Sequence, residues 1–189
     1  MIRTDSFAKL EIASHEALWT WLAEHHGQDD SVWLVTWKKA VPERYVSREA
    51  VLDALIAHGW IDGVRRRLDE DRTMQLISPR RQQVWAETYR RRAARLIAEG
   101  RMAAPGLRAI EAAKAAGLWT AMEHVDALEV PEDLAAALGD AADRFGAMAP
   151  SYRRNVLRWI AGAKRAETRA KRIGILVAAT AAGAKVPQF

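Results

Sequence analysis

The chain has 189 residues, of which 50% are hydrophobic and 28% are charged, a composition typical of a globular protein that buries a substantial core. It contains no cysteine, which excludes disulfides and thiolate chemistry. The formal net charge of +5 allows an anionic partner but does not require one.

The same composition argues against several further classes of protein. The five histidines form no HExxH pattern or other convincing ligand set, so the sequence predicts no metal site and no cofactor. No apolar run reaches the ~18–20 residues of a membrane span. The first residues lack the apolar region of a signal peptide, so we expect a cytoplasmic protein.

The first part of the chain alternates between strand and helix patterns. Residues 7–12 are consistent with a short edge strand, and Ser14 and Ser47 are the predicted N-caps of two helices. Gly59 is the predicted end of the second helix. Between the helices, the β-branched and aromatic run 32–37 predicts a strand that is buried on both faces.

A β-hairpin is predicted over residues 60–77, with its turn at the acidic residues 69–71. If the turn is centred on Glu70, Asp62 lies opposite Ser78, although a slip of one residue would reverse the faces of the strand. This register brings Asp62 beside the segment that leads into Arg80. It therefore favours an Asp62–Arg80 ion pair.

After Ser78-Pro79, which reads as an N-cap followed by a proline, the patterns are helical. The predicted helices cover 80–98, Pro105 to Gly117, a short segment from Val130, a longer one from Pro150, and about 166–182. These patterns predict an α+β fold with a small N-terminal β-sheet and two helices, followed by a mainly helical C-terminal half. The predicted segments are an α+β unit at 1–79, connecting helices packed on it at 80–129, and a C-terminal helical domain at 130–189.

Tryptophan and arginine supply the best candidates for a binding site. The chain has eight Trp against three Phe and three Tyr, and these large rings are consistent either with core packing or with the lining of a cleft. Trp85 and Arg92 are almost two helical turns apart, so they project from nearly the same face. Arg92 could direct its guanidinium at a carboxylate or phosphate, or it could cover apolar surface.

Lysines and arginines elsewhere are open to two interpretations. Lys38 and Lys39 end the buried strand, where they could meet an anion, contact the acidic hairpin turn, or remain solvated. Arg154, Arg158 and Arg165 align at helical spacing and could track a phosphate backbone. Acidic residues are interspersed among the basic runs, and no RNP-type motif, GXXG loop or zinc knuckle accompanies them, so this pattern favours solvated helix faces over nucleic-acid binding.

No motif of a known catalytic class is present. The chain has no GxSxG elbow, P-loop, GxGxxG or paired carboxylates at a defined spacing. Asp62 could act as a base if its pKa were raised, but a neighbouring Arg80 would lower that pKa. We therefore predict no catalytic residue, and an enzyme of unrecognised type stays an alternative.

Many short motifs of uncommon residues occur along the chain, and their order and spacing together are informative about its family. They are Trp21-Leu22, Val32-Trp33-Leu34 with Lys38-Lys39, Gly59-Trp60-Ile61-Asp62-Gly63, Pro79-Arg80 with Trp85, Gly100-Arg101-Met102, Pro105-Gly106-Leu107, Ser151-Tyr152-Arg153-Arg154, Trp159-Ile160, Ala163-Lys164 and Glu167-Thr168-Arg169. In these motifs the chain resembles the YdeI/OmpD-associated family, whose members are also called bacteriocin-protection proteins.

The resemblance implies a cytoplasmic bacterial protein with a C-terminal helical domain at roughly 130–189. It also implies an association with envelope stress or with resistance to bacteriocins and cationic peptides, without an established reaction. The chain departs from the family around Trp85, where the family usually has two serines and an asparagine. Gln83, Ala86 and Tyr89 occupy those places here.

These observations lead to one preferred function and two alternatives. The preferred function is a non-catalytic ligand-binding or stress-protection protein that holds a small anionic or aromatic ligand in a Trp/Arg-lined cleft. The residues predicted to bind this ligand are Lys38, Trp60, Asp62, Arg80, Trp85 and Arg92. The alternatives are an enzyme that uses the same cleft and a binder of nucleic acid or an acidic partner that uses the basic helical face. The sequence does not determine the oligomeric state.

Overall fold

The structure is a computed structural model that describes residues 6–187. It divides into two compact units, Met1–Thr120 and Ala121–Phe189. A four-stranded sheet with helices is followed by a mainly helical C-terminal part, which confirms the predicted α+β class. The three-segment division at 79 and 129 stays a prediction.

The first unit is built on a four-stranded sheet in the order β1-β2-β4-β3. The strands are β1 (Lys9–Glu11), β2 (Val32–Trp37), β3 (Trp60–Arg67) and β4 (Arg72–Pro79). β1 pairs with β2 in parallel, and β4 is antiparallel to both β2 and β3. The first five residues of β2 are buried, which confirms that this β-branched and aromatic run forms a strand covered on both faces.

The hairpin forms as predicted, but its register changes part-way along β3. Arg65 lies opposite Gln75, as a turn centred on Glu70 requires. A β-bulge between Asp62 and Arg65 then shifts the pairing, so that Asp62 lies opposite Ile77. The predicted Asp62–Ser78 pairing was therefore wrong by one residue, because a bulge inserts an extra residue into one strand.

Over the described part of the first unit, from residue 6 onward, the sheet is joined by four α-helices: α1 (His15–His25), α2 (Arg48–Ala57), α3 (Glu87–Ala98) and α4 (Ala104–Ala115). The predicted N-caps are confirmed, since Ser14 and Ser47 accept hydrogen bonds from the backbone amides of Ala17 and Ala50, both at 3.1 Å. A short 3₁₀ helix, Pro42–Arg44, precedes α2.

The predicted start of the third helix at residue 80 was wrong, because α3 begins at Glu87. The backbone amide of Arg80 donates to the carbonyl of Gly59 at 2.8 Å, and that of Trp85 donates to the carbonyl of Leu118 at 3.1 Å. These long-range hydrogen bonds hold residues 80–86 as a loop outside the helix. The helical pattern of the sequence gives no indication of these hydrogen bonds.

Two apolar clusters stabilise the first unit. One lies among the sheet, α1 and α2, and includes Leu18, Leu34, Leu55 and Trp60. The other joins α2, α3 and α4 and is centred on Ile56, Trp85, Leu96 and Ile110. Burial of such side chains is the main source of folding free energy.

The end of α2 and the start of α4 touch through their backbones. Gly59 has a φ of +74°, and a Cβ at this position would lie 2.9 Å from the carbonyl oxygen of Pro105. A Cβ on Gly106 would overlap the carbonyl group of Ala57. Glycine is therefore required at this crossing both for conformation and for space.

The second unit is helical. Its helices are α5 (Glu123–Asp126), α6 (Glu132–Leu138), α7 (Ala142–Gly146), α8 (Pro150–Ala161) and α9 (Ala166–Ala181), with a 3₁₀ turn at Gly139–Ala141. Phe145, Val156, Ile160 and Leu176 are among its core residues. After α9 the chain returns to this core, where Val186 is buried and its amide donates to the hydroxyl of Tyr152 at 3.0 Å. Within residues 6–187, no helix combines the length and apolarity that a membrane span needs.

Candidate functional site

Lys38 lies at the end of the sheet opposite Trp60. β2 runs in the same direction as β3, since both are antiparallel to β4. The ammonium of Lys38 therefore reaches the hairpin turn, where it donates to the carbonyl oxygens of Asp69, at 3.0 Å, and Glu70. This is the predicted approach to the acidic turn, although the bonds go to backbone oxygens. The structure does not bring Lys38 together with the other candidate residues.

The indole rings of Trp60 and Trp85 are both inaccessible to solvent. Trp60 packs edge-to-face against Trp21, with the ring centroids 5.5 Å apart, and Trp85 packs against Trp119 at 5.0 Å. Both rings belong to apolar clusters. Neither ring offers a free face to a ligand, so these two tryptophans are core residues in this structure.

Arg80 stacks on aromatic rings. Its guanidinium carbon lies 4.0 Å from the centroid of Trp85 and 5.3 Å from that of Tyr89. The guanidinium also donates to the backbone carbonyls of Gln83, at 3.4 Å, and Val84, at 3.3 Å. Burial lowers the pKa of Arg80 to about 10, and the nearby carboxylate of Asp62 opposes this shift.

Asp62 is half-buried and is held by two other side chains. One carboxylate oxygen accepts a hydrogen bond from the hydroxyl of Tyr89, and the other accepts one from the amide of Gln75 at 3.0 Å. Within the described residues, Asp62 and Arg80 do not form the direct ion pair favoured by the sequence. Tyr89 links them instead, since its hydroxyl binds Asp62 and its ring contacts Arg80.

Tyr89 is therefore the structural link of this region. Burial raises the pKa of Tyr89, and its hydrogen bond to Asp62 raises that pKa further, so the phenol stays protonated and donates. The sequence marked this position as a departure from the family pattern and placed it on the buried stripe of a helix, but it did not predict the contact with Asp62.

An open groove lies between α2 and α3, with a volume of about 600 Å³. Its lining consists of Glu49 and Asp53 from α2 and Thr88, Arg91, Arg92 and Arg95 from α3. We call it the α2–α3 groove. The α3 residues recur at i, i+3, i+4 and i+7, and the α2 residues at i and i+4, so each set occupies one face of its helix.

Asp53 is the buried carboxylate of the α2–α3 groove, with its side chain 9% exposed. It accepts one hydrogen bond from Arg92 at 2.6 Å and two from Arg95, at 2.6 and 2.7 Å. Burial alone would raise the pKa of Asp53, but the hydrogen bonds from Arg95 and Arg92 outweigh it and lower the pKa. Asp53 therefore remains charged and orients both guanidiniums.

Two groove residues are much more exposed. Glu49 has a side chain that is 69% exposed, and its carboxylate binds the second terminal nitrogen of Arg92. Arg91 is 71% exposed and meets Glu87 at 3.4 Å, which is an ordinary surface pair. The groove thus combines a fixed inner ion pair with charges that remain accessible to solvent.

Of the groove residues, the predicted site contained Arg92 but not the others. The missed signals were an acidic residue, Asp53, inside an otherwise apolar helix stripe, and the Thr-Arg-Arg-Arg spacing on α3. A buried acid in a helix stripe requires a cationic partner, and the α3 arginines were available for that role.

Two arginines of the basic face predicted in the second unit lie near a buried carboxylate. Asp126, with its side chain 7% exposed, lies 3.2 Å from Arg158 and 4.0 Å from Arg154. Arg165 is not on the same helix, because α8 ends at Ala161 and Arg165 is the N-cap of α9. The predicted alignment of these three arginines was therefore wrong.

Comparison with known proteins gives two family matches. Residues 10–109, which are 100 of the 189, match the model described as a domain of unknown function, DUF8412. Residues 127–183 match the model described as Bacteriocin-protection, YdeI or OmpD-Associated. No curated protein and no solved structure matches the chain.

The matches confirm the predicted resemblance in the C-terminal part, whereas the N-terminal part matches a model with a different description. The DUF8412 match covers more than half of the chain. The chain therefore belongs to the DUF8412 family, and residues 127–183 of its second unit are similar to the bacteriocin-protection, YdeI or OmpD-associated model.

Proposed function

We propose that this protein is a ligand-binding member of the bacteriocin-protection group and that its first unit binds a small anionic molecule in the α2–α3 groove. The observation that carries the proposal is the convergence of three guanidiniums from one face of α3 on a single open volume of about 600 Å³. This volume falls within the ~300–1,000 Å³ range of small-molecule sites.

The chemistry of the lining favours an oxyanion. Guanidinium groups recognise carboxylates and phosphates through paired, charge-assisted hydrogen bonds. Three guanidiniums face two carboxylates here, so the lining has a positive excess. Arg91 is the guanidinium most available to a ligand, because its contact with Glu87 is long and exposed.

The buried Asp53 supports this function by fixing the geometry of the groove. Its buried carboxylate accepts hydrogen bonds from Arg92 and Arg95 and so holds both guanidiniums in place. Groups that are held in position before binding lose less conformational entropy when the ligand arrives. The roles that the sequence assigned to Trp60 and Trp85 are not part of this proposal, because both rings are buried.

The second unit connects the protein to a biological setting. Its match is described by the words bacteriocin protection, and we infer the same broad role for this chain. In this proposal, the α2–α3 groove supplies the biochemical activity, which is recognition of an anion. No reaction is assigned to it.

The proposal is tested by isothermal titration with phenyl phosphate and with benzoate, using benzyl alcohol as the uncharged control ligand. We expect saturable binding of at least one anion and none of the alcohol. Arg91→Gln should weaken anion binding about three- to tenfold, because it removes a charge-assisted contact.

The matched control is Arg81→Gln, since Arg81 is also exposed, at 61%, and is paired with Asp29 outside the groove. It should bind the anion as the unchanged protein does. Absence of anion binding, or equal weakening by the two substitutions, would contradict the proposed function.

A further inference from the structure

We propose that Glu49 is an internal competitor of the ligand, and that an incoming carboxylate or phosphate takes its place on Arg92. This inference rests on the proposed function of the α2–α3 groove. It names the group that the ligand must displace and therefore the chemistry of the ligand: a terminal oxyanion on a small organic molecule.

The two carboxylates that bind Arg92 differ strongly in their surroundings. Asp53 is 9% exposed and is shared by Arg92 and Arg95. Glu49 is 69% exposed, and Arg92 is its ion-pair partner. An exposed ion pair contributes little to stability, whereas removing one member of a buried pair is costly. A ligand therefore displaces Glu49 far more readily than Asp53.

The hydrogen bonds of Arg92 divide in the same way. Its first terminal nitrogen donates to Asp53 at 2.6 Å and to the backbone carbonyl of Glu49 at 3.3 Å. Its second terminal nitrogen donates to the Glu49 carboxylate. Departure of that carboxylate would leave the second nitrogen available while the first keeps the guanidinium in position.

Other donors in the groove can complete the coordination of an oxyanion. Arg91 and Thr88 line the groove near Arg92, Arg91 as its neighbour in sequence and Thr88 about one turn of α3 earlier. Arg91 is exposed and Thr88 contributes a hydroxyl. An oxyanion that replaces the Glu49 carboxylate could therefore accept from two guanidiniums and one hydroxyl.

Glu49 also has a structural role, which the experiment must distinguish from its competition with the ligand. It lies in the first turn of α2, where a negative charge interacts favourably with the helix dipole. Glu49→Asp keeps this charge but shortens the side chain by one methylene, which moves the carboxylate away from Arg92. Glu49→Gln removes the charge while keeping the length.

The experiment measures the dissociation constant of phenyl phosphate for the unchanged protein, Glu49→Gln and Glu49→Asp. We expect Glu49→Gln to bind about three- to tenfold more tightly, because it loses both the competing acceptor and a like charge near the ligand. Glu49→Asp should also bind more tightly, by a smaller factor. Thermal unfolding of each variant checks that the fold is retained.

Glu111→Gln is the matched control for loss of one negative charge. Glu111 is 72% exposed and pairs with Lys114 on α4, outside the groove. Equal affinity of the unchanged protein and both Glu49 variants would overturn this inference and leave the proposed function intact. An equal gain in Glu111→Gln, or weaker binding by Glu49→Gln, would also overturn the inference. Absence of binding in every variant would overturn both.

Discussion

Two arginines of the first unit, Arg80 and Arg92, show how differently one fold can accommodate a guanidinium. Arg80 lies on the rings of Trp85 and Tyr89 and bonds to backbone carbonyls, and burial lowers its pKa to about 10. Burial would also lower the pKa of Arg92, but the hydrogen bonds to Asp53 and Glu49 outweigh it and raise the pKa.

The two arginines differ in whether the nearest carboxylate forms a hydrogen bond with them or with other side chains. Asp62 is occupied by Tyr89 and Gln75, so it does not bond to Arg80 directly. Asp53 and Glu49 both bond to Arg92 at the side of an open groove. Aromatic packing thus closes the region that the sequence favoured as a cleft. Ion pairing keeps the neighbouring region polar and accessible.

The largest effect is expected from Gly106→Ala, which should disturb both regions, because α2 carries Asp53 and the residue Gly59 just after it accepts a hydrogen bond from the amide of Arg80. A Cβ at Gly106 would overlap the backbone carbonyl of Ala57 and would lie 2.7 Å from its carbon. Since backbone must move to relieve this overlap, we expect a loss of about 3 kcal/mol in the free energy of unfolding, measured by urea denaturation.

Gly27→Ala is the control for this substitution. A Cβ at Gly27 would have nothing within 4 Å, and its φ is not in the left-handed region. The free energy of unfolding should change by less than about 0.5 kcal/mol. A loss in Gly106→Ala as small as the one in Gly27→Ala would show that α2 and α4 do not need their close backbone contact.

Asp53→Asn should break the Arg92 region and leave the Arg80 region intact. The amide keeps the size of the side chain but removes the charge that Arg92 and Arg95 share. We expect a loss of about 2 kcal/mol in the free energy of unfolding, because Asp53 is buried and the partly buried Arg92 would lose its charged partner.

The same variant gives a pH test. The pKa of Asp53 is lower in the folded state than in the unfolded chain, so its contribution to stability is present above the unfolded pKa of about 3.9. That contribution is lost as the pH falls toward the folded pKa. Urea denaturation at several pH values below 5 should therefore show a weaker acid dependence in Asp53→Asn. An unchanged acid dependence would contradict the role of Asp53.

A smaller effect is expected from Tyr89→Phe, which alters the Arg80 region alone. The ring stays on Arg80, but the hydrogen bond from the hydroxyl to Asp62 is lost. We expect a loss of about 1 kcal/mol in the free energy of unfolding, since Asp62 is only half-buried and keeps its bond from Gln75.

Double substitution sharpens the result for Tyr89. In Asp62→Asn, the hydroxyl of Tyr89 no longer meets a charged acceptor, so Tyr89→Phe should cost less in that background. The difference between the two costs gives the coupling energy of the pair. A coupling energy of zero would mean that the hydrogen bond does not connect the strand to α3.

Local signals predicted much of the fold. Ser14 and Ser47 cap helices through their own side chains, and the buried strand 32–37 is apparent from its run of β-branched and aromatic residues. Interactions within a few residues determine such features. The hairpin was predicted for the same reason, because its turn is a local cluster of acidic residues.

The remaining features depend on contacts between distant residues. The loop 80–86 requires the carbonyls of Gly59 and Leu118. The bulge before Arg65 contains Gly63, a residue typical of bulges, but that glycine alone does not determine how the register shifts. Trp60 gave the same sequence signal whether its ring lined a cleft or filled the core. The site could be predicted only as far as Arg92, because its carboxylate partners come from a helix about forty positions earlier.

The hydrogen bond between Tyr152 and the amide of Val186 has a practical consequence for the second unit. The family match ends at residue 183, but the buried Val186 lies beyond it. A chain shortened to the limits of the match would lose an apolar residue from its core and leave the Tyr152 hydroxyl without the amide that it accepts from. The boundary for expressing this domain alone is therefore better placed after Pro187 than at residue 183, where the family match ends.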